Sequence, residues 1–267
     1  MDSKTLIVEI QNNVLCVVLN RPEKRNALNE RMIKELCQTF NQYAESDDIL
    51  AATITGKGEA FCAGADLAYL HSLVDKSYKE NLDDSKAIRD MYWSIYTFPK
   101  PTIAIVNGPA VAGGCGLVNV CDMAIASDAA SFGYPEVKIG FVASLVSVFL
   151  IYTIGFRNTL YLLLTGKIID AGAALNLGLI HRVVHKNDLL SAAEALINEI
   201  IQNSPRSLKL SKEIVHNYID DDMRSMLERA CEFNARSRQN PDFKEGLLSF
   251  LEKRKPVWQK NTMQIGG

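Results

Sequence analysis

Several features that mark specialised classes of protein are missing from this chain of 267 residues. Its six cysteines include no C-x-x-C pair and are far too sparse for a small disulfide-bonded secreted domain. Its four histidines lack the spacing to Asp or Cys that is typical of metal ligands. We therefore expect reduced thiols, no metal site and no redox cofactor.

A charge imbalance is missing as well. The 29 Lys and Arg residues and the 31 Asp and Glu residues leave a formal net charge of −2, which gives no reason to expect nucleic-acid binding. The longest apolar run, residues 141–154, is interrupted by polar residues and is too short to span a bilayer. Residues 1–5 lack the apolar stretch of a secretory signal. We expect a cytoplasmic protein with a small-molecule partner and no membrane partner.

Patterns typical of strands and helices alternate over most of the chain. Residues 6–19 predict a hairpin, Asn29 predicts the start of a helix, and another helix is expected over residues 85–98. Between the last two, residues 72–85 form a polar insertion rich in Asp and Lys, which we expect to be a mobile loop. This alternation predicts an α/β fold.

The C-terminal part has a different character. Four helices are expected in succession, over residues 188–202, 207–218, 222–236 and 241–254. The sequence therefore predicts an α/β core over residues 1–190 and a helical region over residues 191–267. Because isolated amphipathic helices expose apolar faces, this region should pack on the core or on another subunit.

Two segments that contain glycine are the most informative feature of the sequence. Residues 61–66 (FCAGAD) and 108–116 (GPAVAGGCG) each follow an apolar strand-like run and precede a helix-like segment. Such turns expose backbone N–H groups at the start of a helix. Either turn alone is equally consistent with a plain strand-to-helix connection. Two of them facing each other would form an oxyanion hole.

Six motifs together resemble one family. They are residues 21–28 (RPEKRNAL), 63–66 (AGAD), the glycine-rich segment that ends at Asp122, 132–136 (FGYPE), 164–166 (LTG) and 250–254 (FLEKR). Their order and spacing resemble those of the crotonase, or enoyl-CoA hydratase/isomerase, superfamily over nearly the whole chain. The resemblance implies a crotonase-type ββα superhelix core, a C-terminal helical oligomerisation region, and a homotrimer or a dimer of trimers.

The resemblance also implies an acyl-CoA substrate and a set of site residues. The thioester carbonyl would be held by the backbone N–H groups of Ala65 and Gly113. Coenzyme A, as part of the substrate, would be contacted by Lys24, Arg25, Ala27, Ala63, Asp66, Leu67, Phe250 and Lys253. The first two would meet its phosphates, and the last two would reach it from a neighbouring subunit.

The carboxylates of the expected site depart from the hydratase pattern. Hydratases of this family typically use two glutamates, at positions equivalent to 116 and 136, and this chain has Gly116 and Glu136. Addition of water needs one group to remove a proton from water and one to deliver a proton to carbon, although a single glutamate can relay one proton. A 1,3 proton shift needs only one carboxylate.

We therefore expect an enoyl-CoA hydratase, which interconverts 2-enoyl-CoA and 3-hydroxyacyl-CoA with Glu136 as acid and base. The alternatives are a Δ3,Δ2-enoyl-CoA isomerase, and a branched-acid (methylglutaconyl-type) hydratase or decarboxylase. A non-catalytic CoA-binding homologue is the alternative from another class. Residues 141–147 differ from the commonest hydratase sequence; they should open a helix capped by Ser144 and alter the acyl pocket.

Overall fold

A six-stranded sheet lies at the centre of the computed structural model, which describes residues 5–258. Its strand order is β1-β2-β3-β4-β6-β9, in which β1 is antiparallel to β2 and all other neighbours are parallel. A smaller sheet has the order β5-β7-β8. The strands are β1 Leu6–Gln11, β2 Val14–Leu19, β3 Ala51–Gly56, β4 Thr102–Val106, β5 Ala110–Val111, β6 Met123–Ser127, β7 Ser131–Gly133, β8 Ile168–Asp170 and β9 Arg182–Val184.

Helices alternate with these strands and then continue alone towards the C-terminus. They are α1 Glu30–Tyr43, α2 Leu67–Leu73, α3 Tyr78–Tyr96, α4 Gly113–Asn119, α5 Ser144–Thr165, α6 Ala171–Asn176, α7 Leu189–Ile201, α8 Pro205–Asn217, α9 Asp220–Arg238 and α10 Pro241–Leu251. Short 3-10 turns, among them Pro135–Ile139, connect some of these elements. The predicted α/β fold with helices at its C-terminal end is confirmed.

Local sequence signals explain the first elements. Asn12 and Asn13 both adopt positive φ, 50° and 63°, which a two-residue hairpin turn requires. The side chain of Asn29 accepts a hydrogen bond from Met32 N at 2.9 Å and thereby caps α1, as predicted. The apolar face of α1 is buried, and Phe40 packs edge-on against Phe98 with 5.3 Å between ring centroids.

The C-terminal helices pack on the core of the same chain. Met223, Leu227 and Cys231 of α9 belong to the main hydrophobic core, next to α3 and α5. Helix α10 lies against the 3-10 turn Pro135–Ile139 so closely that a Cβ on Gly246 would come within 2.3 Å of the Ile139 carbonyl carbon. The proposed boundary near residue 190 stays a prediction, and residues 259–267 lie outside the described part.

The polar insertion is mostly helical, with a turn at residues 74–77 between α2 and α3, which corrects the prediction of a mobile loop over residues 72–85. Ser77 and Glu80 form a capping box, and α3 begins at Tyr78. Asn81 and Ser85 are fully buried, Lys79 and Asp83 are exposed on the outer face of this helix, and Asp75 and Lys76 precede it. The packing of Asn81 and Ser85 against α9 therefore stabilises a helix in this segment.

Helix α5 also differs from its expectation. Ser144 does not cap the helix, because its hydroxyl donates to the Ala230 carbonyl at 2.9 Å. The apolar run extends into a helix of 22 residues, interrupted at Gly155 (φ 76°, ψ 166°). By length and composition it is sufficient to cross a membrane, although the buried core helix of a soluble protein passes the same test, and 44% of its most apolar window is buried within the protein.

Candidate active site

A cavity of about 430 Å³ lies where the two glycine-bearing turns, the 3-10 turn Pro135–Ile139 and the C-terminal helices meet. Its wall is mostly apolar, with contributions from α3, the start of α5, α9 and α10. A mostly apolar cavity with a few polar groups is typical of a small-molecule site. Ala65, Gly113 and Glu136, the three residues predicted to perform chemistry, all lie on this wall.

The first turn presents the N–H group of Ala65. Leu28 holds the backbone on both sides of it: Leu28 N donates to Gly64 O at 2.7 Å, and Asp66 N donates to Leu28 O at 2.8 Å. Gly64 has a φ of 88°, a conformation that favours glycine. Within residues 5–258, no group accepts a hydrogen bond from Ala65 N–H.

The second turn presents the N–H group of Gly113. Because Gly113 is the first residue of α4, its N–H has no partner inside the helix. Ala112, just before it, is held at φ 53° and ψ −126°, a strained conformation for a residue with a side chain. Ala112 N donates to Gly133 O at 2.8 Å, and Ala112 O accepts from Gly116 N at 3.0 Å. Again, no described residue accepts from Gly113 N–H.

The two turns are in direct contact. A Cβ on Gly64 would lie 2.8 Å from Ala112 Cβ and 3.5 Å from Gly113 N. A Cβ on Gly114 would lie 2.1 Å from Cys62 O. Glycine is therefore needed at both positions because the backbones approach each other too closely for a side chain. This approach places two N–H donors, neither of which has an acceptor among the described residues, on one cavity wall.

Glu136 is a buried carboxyl group on the same wall. Pro135 and Glu136 begin the 3-10 turn Pro135–Ile139, and only 7% of Glu136 is exposed. Its Oε2 atom has no hydrogen-bond partner among the described residues. Burial raises the pKa of Glu136 to about 7, from an ordinary value of 4.5. A carboxyl group with this pKa is suited to both accept and donate a proton near neutral pH.

Position 116, where the hydratase pattern has a glutamate, has no room for a side chain in this packing. A Cβ on Gly116 would lie 2.4 Å from Val146 Cγ1 and 2.7 Å from the Tyr92 hydroxyl. Tyr92, on α3, donates a hydrogen bond to Gly113 O at 2.8 Å. Burial keeps the pKa of Tyr92 well above its ordinary value, so that its hydroxyl stays protonated.

Tyr92 is the site residue that the sequence reasoning missed. In a sequence, an aromatic residue with helical spacing indicates only a core position. The small residue at position 116 was the one available signal, since it implies that a neighbour approaches closely. The identity of that neighbour depends on how α3 packs against α4.

Some residues predicted to contact coenzyme A lie on the cavity wall. Ala63, Leu67 and Phe250 line it, and the last two are 37% and 55% exposed. Phe250 lines the cavity of its own chain, whereas the resemblance implied a contact across a subunit boundary. Lys253 is exposed and does not line the cavity.

The others lie beside the first turn. Lys24 and Arg25 are exposed, and Arg25 O accepts a hydrogen bond from Ala63 N at 3.0 Å. Ala27 is buried. The Asp66 carboxylate caps α2 by accepting from Ala68 N at 2.9 Å. It also pairs with Arg21 at 2.7 Å, and the Arg21 guanidinium reaches Ala27 O at 2.6 Å. Asp66 and Arg21 therefore fix the first turn rather than face the cavity.

The cysteines of the two turns are not suited to nucleophilic chemistry. Cys62 and Cys115 are fully buried. Burial raises the pKa of each thiol to about 12, so both stay protonated at neutral pH. Among the described residues that line the cavity, Glu136 is thus the one carboxyl group available for proton transfer.

Comparisons with known proteins point to one family. The sequence profile described as enoyl-CoA hydratase/isomerase matches residues 9–261. A Thermus thermophilus protein named "Putative enoyl-CoA hydratase" is 41% identical over 92% of this chain and 97% of its own length. The short-chain-enoyl-CoA hydratase of Clostridium acetobutylicum is 32% identical over 98% of this chain and 100% of its own.

A solved structure shows the same fold. The enoyl-CoA hydratase/isomerase of Pseudoalteromonas atlantica has a TM-score of 0.85 and 29% identity, and the match covers 96% of this chain and 100% of that chain. The resemblance seen in the sequence is therefore confirmed, and the fold is of the crotonase type. This chain belongs to the enoyl-CoA hydratase/isomerase family.

Proposed function

We propose that the protein is an enoyl-CoA hydratase that interconverts 2-enoyl-CoA and 3-hydroxyacyl-CoA thioesters. The observation that supports this most directly is Glu136, a buried carboxyl group with an unpartnered oxygen on the wall of a mostly apolar cavity. The same wall holds Ala65 and Gly113, whose N–H groups have no acceptor in the described part of the chain. The names of the relatives favour hydration over other reactions of the family.

In the proposed reaction, Ala65 N–H and Gly113 N–H hold the thioester oxygen. Glu136, as carboxylate, accepts a proton from water while the water oxygen bonds to C3 of the enoyl group. The electron pair of the double bond moves to the thioester oxygen and forms an enolate. Glu136 then returns the proton to C2, and the enolate collapses to the 3-hydroxyacyl thioester. One carboxyl group thus performs both proton transfers.

The two N–H groups would supply a large part of the catalysis. Removing one donor of this kind typically costs about 3 to 4 kcal/mol of transition-state stabilisation. The donors are preorganised because the contact between the two turns and the strained Ala112 hold them in place before substrate arrives. Tyr92 supports this arrangement through its hydrogen bond to Gly113 O.

A second candidate is a Δ3,Δ2-enoyl-CoA isomerase, and the closed space at Gly116 favours it. Val146 and Tyr92 occupy the volume that a second carboxylate would need. Isomerisation requires only that Glu136 remove a proton from C2 of a 3-enoyl thioester and return it to C4. The same cavity and the same N–H donors would serve this reaction.

A pair of substrates distinguishes the two reactions. Crotonyl-CoA loses the absorbance of its conjugated thioester on hydration, whereas a 3-enoyl-CoA gains that absorbance on isomerisation. Hydration of crotonyl-CoA by the wild type, lost in Glu136→Gln, is the expected result. Glu194→Gln, the same change at an exposed position on α7, should keep full turnover.

Other outcomes would indicate a different function. Turnover of only the 3-enoyl substrate would make it an isomerase. Binding of both thioesters without turnover of either would favour the branched-acid hydratase or decarboxylase alternatives, or the non-catalytic homologue. Undiminished turnover by Glu136→Gln would refute the role of this residue.

The remaining expectations belong to the same proposal. Coenzyme A would bind along the first turn, with its phosphates near the exposed Lys24 and Arg25.

The chain would assemble as a homotrimer or a dimer of trimers in the cytoplasm. The exposed apolar side chains of α8, which are 53% to 63% exposed at Ile214, Val215 and Leu210, support an assembly surface. Light scattering coupled to size-exclusion chromatography tests the oligomeric state.

A further inference from the structure

Helix α9 contributes two buried polar side chains to the mostly apolar cavity. Asn234 and Arg238 are four residues apart, on the same face of the helix, and both line the cavity wall. They are 5% and 2% exposed. The proposed hydration uses neither of them. A charged side chain is rarely buried this deeply unless all its polar atoms have partners.

Among residues 5–258, the partners of Arg238 all lie on one side of its guanidinium group. Its Nη1 donates to Asp84 Oδ2 at 2.6 Å and to Asn81 Oδ1 at 3.3 Å. Nε is buried and has no partner among the described residues, and Nη2 donates to none of them either. The guanidinium carbon lies 5.8 Å from the centroid of the Phe141 ring, which also lines the cavity.

Asn234 is likewise bonded through one end of its amide. Its Oδ1 accepts from the Ser85 hydroxyl at 3.1 Å, while the other end of the amide bonds to no residue in the described range 5–258. Ser85 and Asn81 are themselves fully buried on α3. The contact between α3 and α9 therefore holds both side chains rigidly, with hydrogen-bonding capacity left unused.

The charge at this place is balanced before any ligand arrives. Asp84 pairs with Arg238 and also accepts a hydrogen bond from the Tyr69 hydroxyl. A carboxylate bound to Arg238 would add a second negative charge beside Asp84 in a buried place. A purely alkyl chain would leave the donors of Arg238 unsatisfied, which is costly for a buried group. A neutral oxygen satisfies the donors without adding charge.

We propose that Asn234 and Arg238 form a subsite for a hydroxyl or carbonyl oxygen carried by the acyl chain. The preferred thioesters would then bear an oxygen function beyond the reacting double bond. This inference rests on the proposed function, namely that the cavity binds an acyl-CoA thioester, and it specifies the class of acyl group.

Binding of saturated thioesters tests the subsite without requiring turnover. Dissociation constants would be measured by calorimetry for acyl-CoA series of increasing length, each ending in a methyl, hydroxyl, methyl-ketone or carboxylate group. We expect the best hydroxyl or ketone member to bind at least about tenfold more tightly than the methyl member of equal length.

Two variants test whether Arg238 and Asn234 cause that preference. Arg238→Lys keeps a positive charge opposite Asp84 but removes the free Nε and Nη2 donors. Asn234→Leu removes the amide. Each should reduce the preference to less than about threefold, because oxygenated thioesters bind more weakly while alkyl thioesters, which no longer leave those donors unsatisfied, bind at least as tightly as to the wild type. Urea denaturation of both variants shows whether they fold.

Equal binding of methyl and oxygenated members by the wild type would overturn the inference, and so would tighter binding of the carboxylate member. A preference that survives in both folded variants would overturn the assignment to Asn234 and Arg238. If oxygenated thioesters bind preferentially but no enoyl thioester is turned over, the proposed reaction fails and the subsite stands. Failure of every CoA thioester to bind would refute both.

Discussion

The raised pKa of Glu136 makes the stability of the protein depend on pH in a way that one substitution should remove. The pKa is about 7 in the folded protein and ordinarily 4.5. Below pH 4.5 the group is protonated in both states, so no stability is lost. As pH rises from 4.5 to 7, the unfolded chain releases the proton that the folded protein retains. The contribution of Glu136 to the free energy of unfolding therefore falls between pH 4.5 and pH 7 and is constant above pH 7.

The size of the effect follows from the shift. One pKa unit corresponds to about 1.4 kcal/mol, so the shift of Glu136 amounts to a loss of about 3 kcal/mol by pH 8. Glu136→Gln places a neutral side chain of the same shape in the same buried position. Between pH 5 and pH 8, the stability of this variant relative to the wild type should increase by about 2.5 kcal/mol.

Urea denaturation of both proteins at several pH values measures this difference. Comparing the two proteins at each pH cancels the other groups that titrate in the same range. The exposed Glu194→Gln is the matched control for the loss of one carboxyl group at the protein surface. If Glu136→Gln and the wild type show parallel pH dependence, Glu136 does not titrate near pH 7 and the argument for a buried acid and base is wrong.

Three further substitutions test the packing of the site. Tyr92→Phe removes the donor to Gly113 O and should cost about 1 kcal/mol in urea denaturation, with turnover reduced more than acyl-CoA affinity. An unchanged kcat would contradict the supporting role of Tyr92. Gly116→Ala should destabilise the protein by about 1 to 3 kcal/mol despite the better helix propensity of alanine, and adding Val146→Ala should recover part of this. Gly64→Ala, at φ 88°, should lower both the melting temperature and turnover; normal activity would show that the first turn is not constrained.

Local sequence signals were sufficient to predict much of the secondary structure. The hairpin of β1 and β2 follows from an alternating apolar pattern before two asparagines and an apolar run after them. The start of α1 follows from Asn29, whose side chain caps the helix as the residue type suggests. These predictions succeeded because the deciding interactions join residues that are close in the chain.

Predictions failed where distant residues decide the outcome. Residues 78–85 are helical, although their charged residues suggested a loop, because Ser85 bonds to Asn234 across 149 residues of sequence. Ser144 bonds to Ala230 instead of capping α5. In both cases a polar side chain is satisfied by a distant partner, and a local pattern does not contain that partner.

By itself, the sequence determined the family, the two turns and the presence of a single carboxylate at the expected positions. Motif spacing carries this information because the motifs are local and their order along the chain is preserved in the fold. Only the tertiary structure decided that Val146 and Tyr92 fill the space at Gly116, and that Glu136 is buried enough for its pKa to rise to about 7. It alone placed the free donors of Arg238 on the cavity wall. Space, desolvation and unmet hydrogen bonds arise from contacts between elements far apart in the chain.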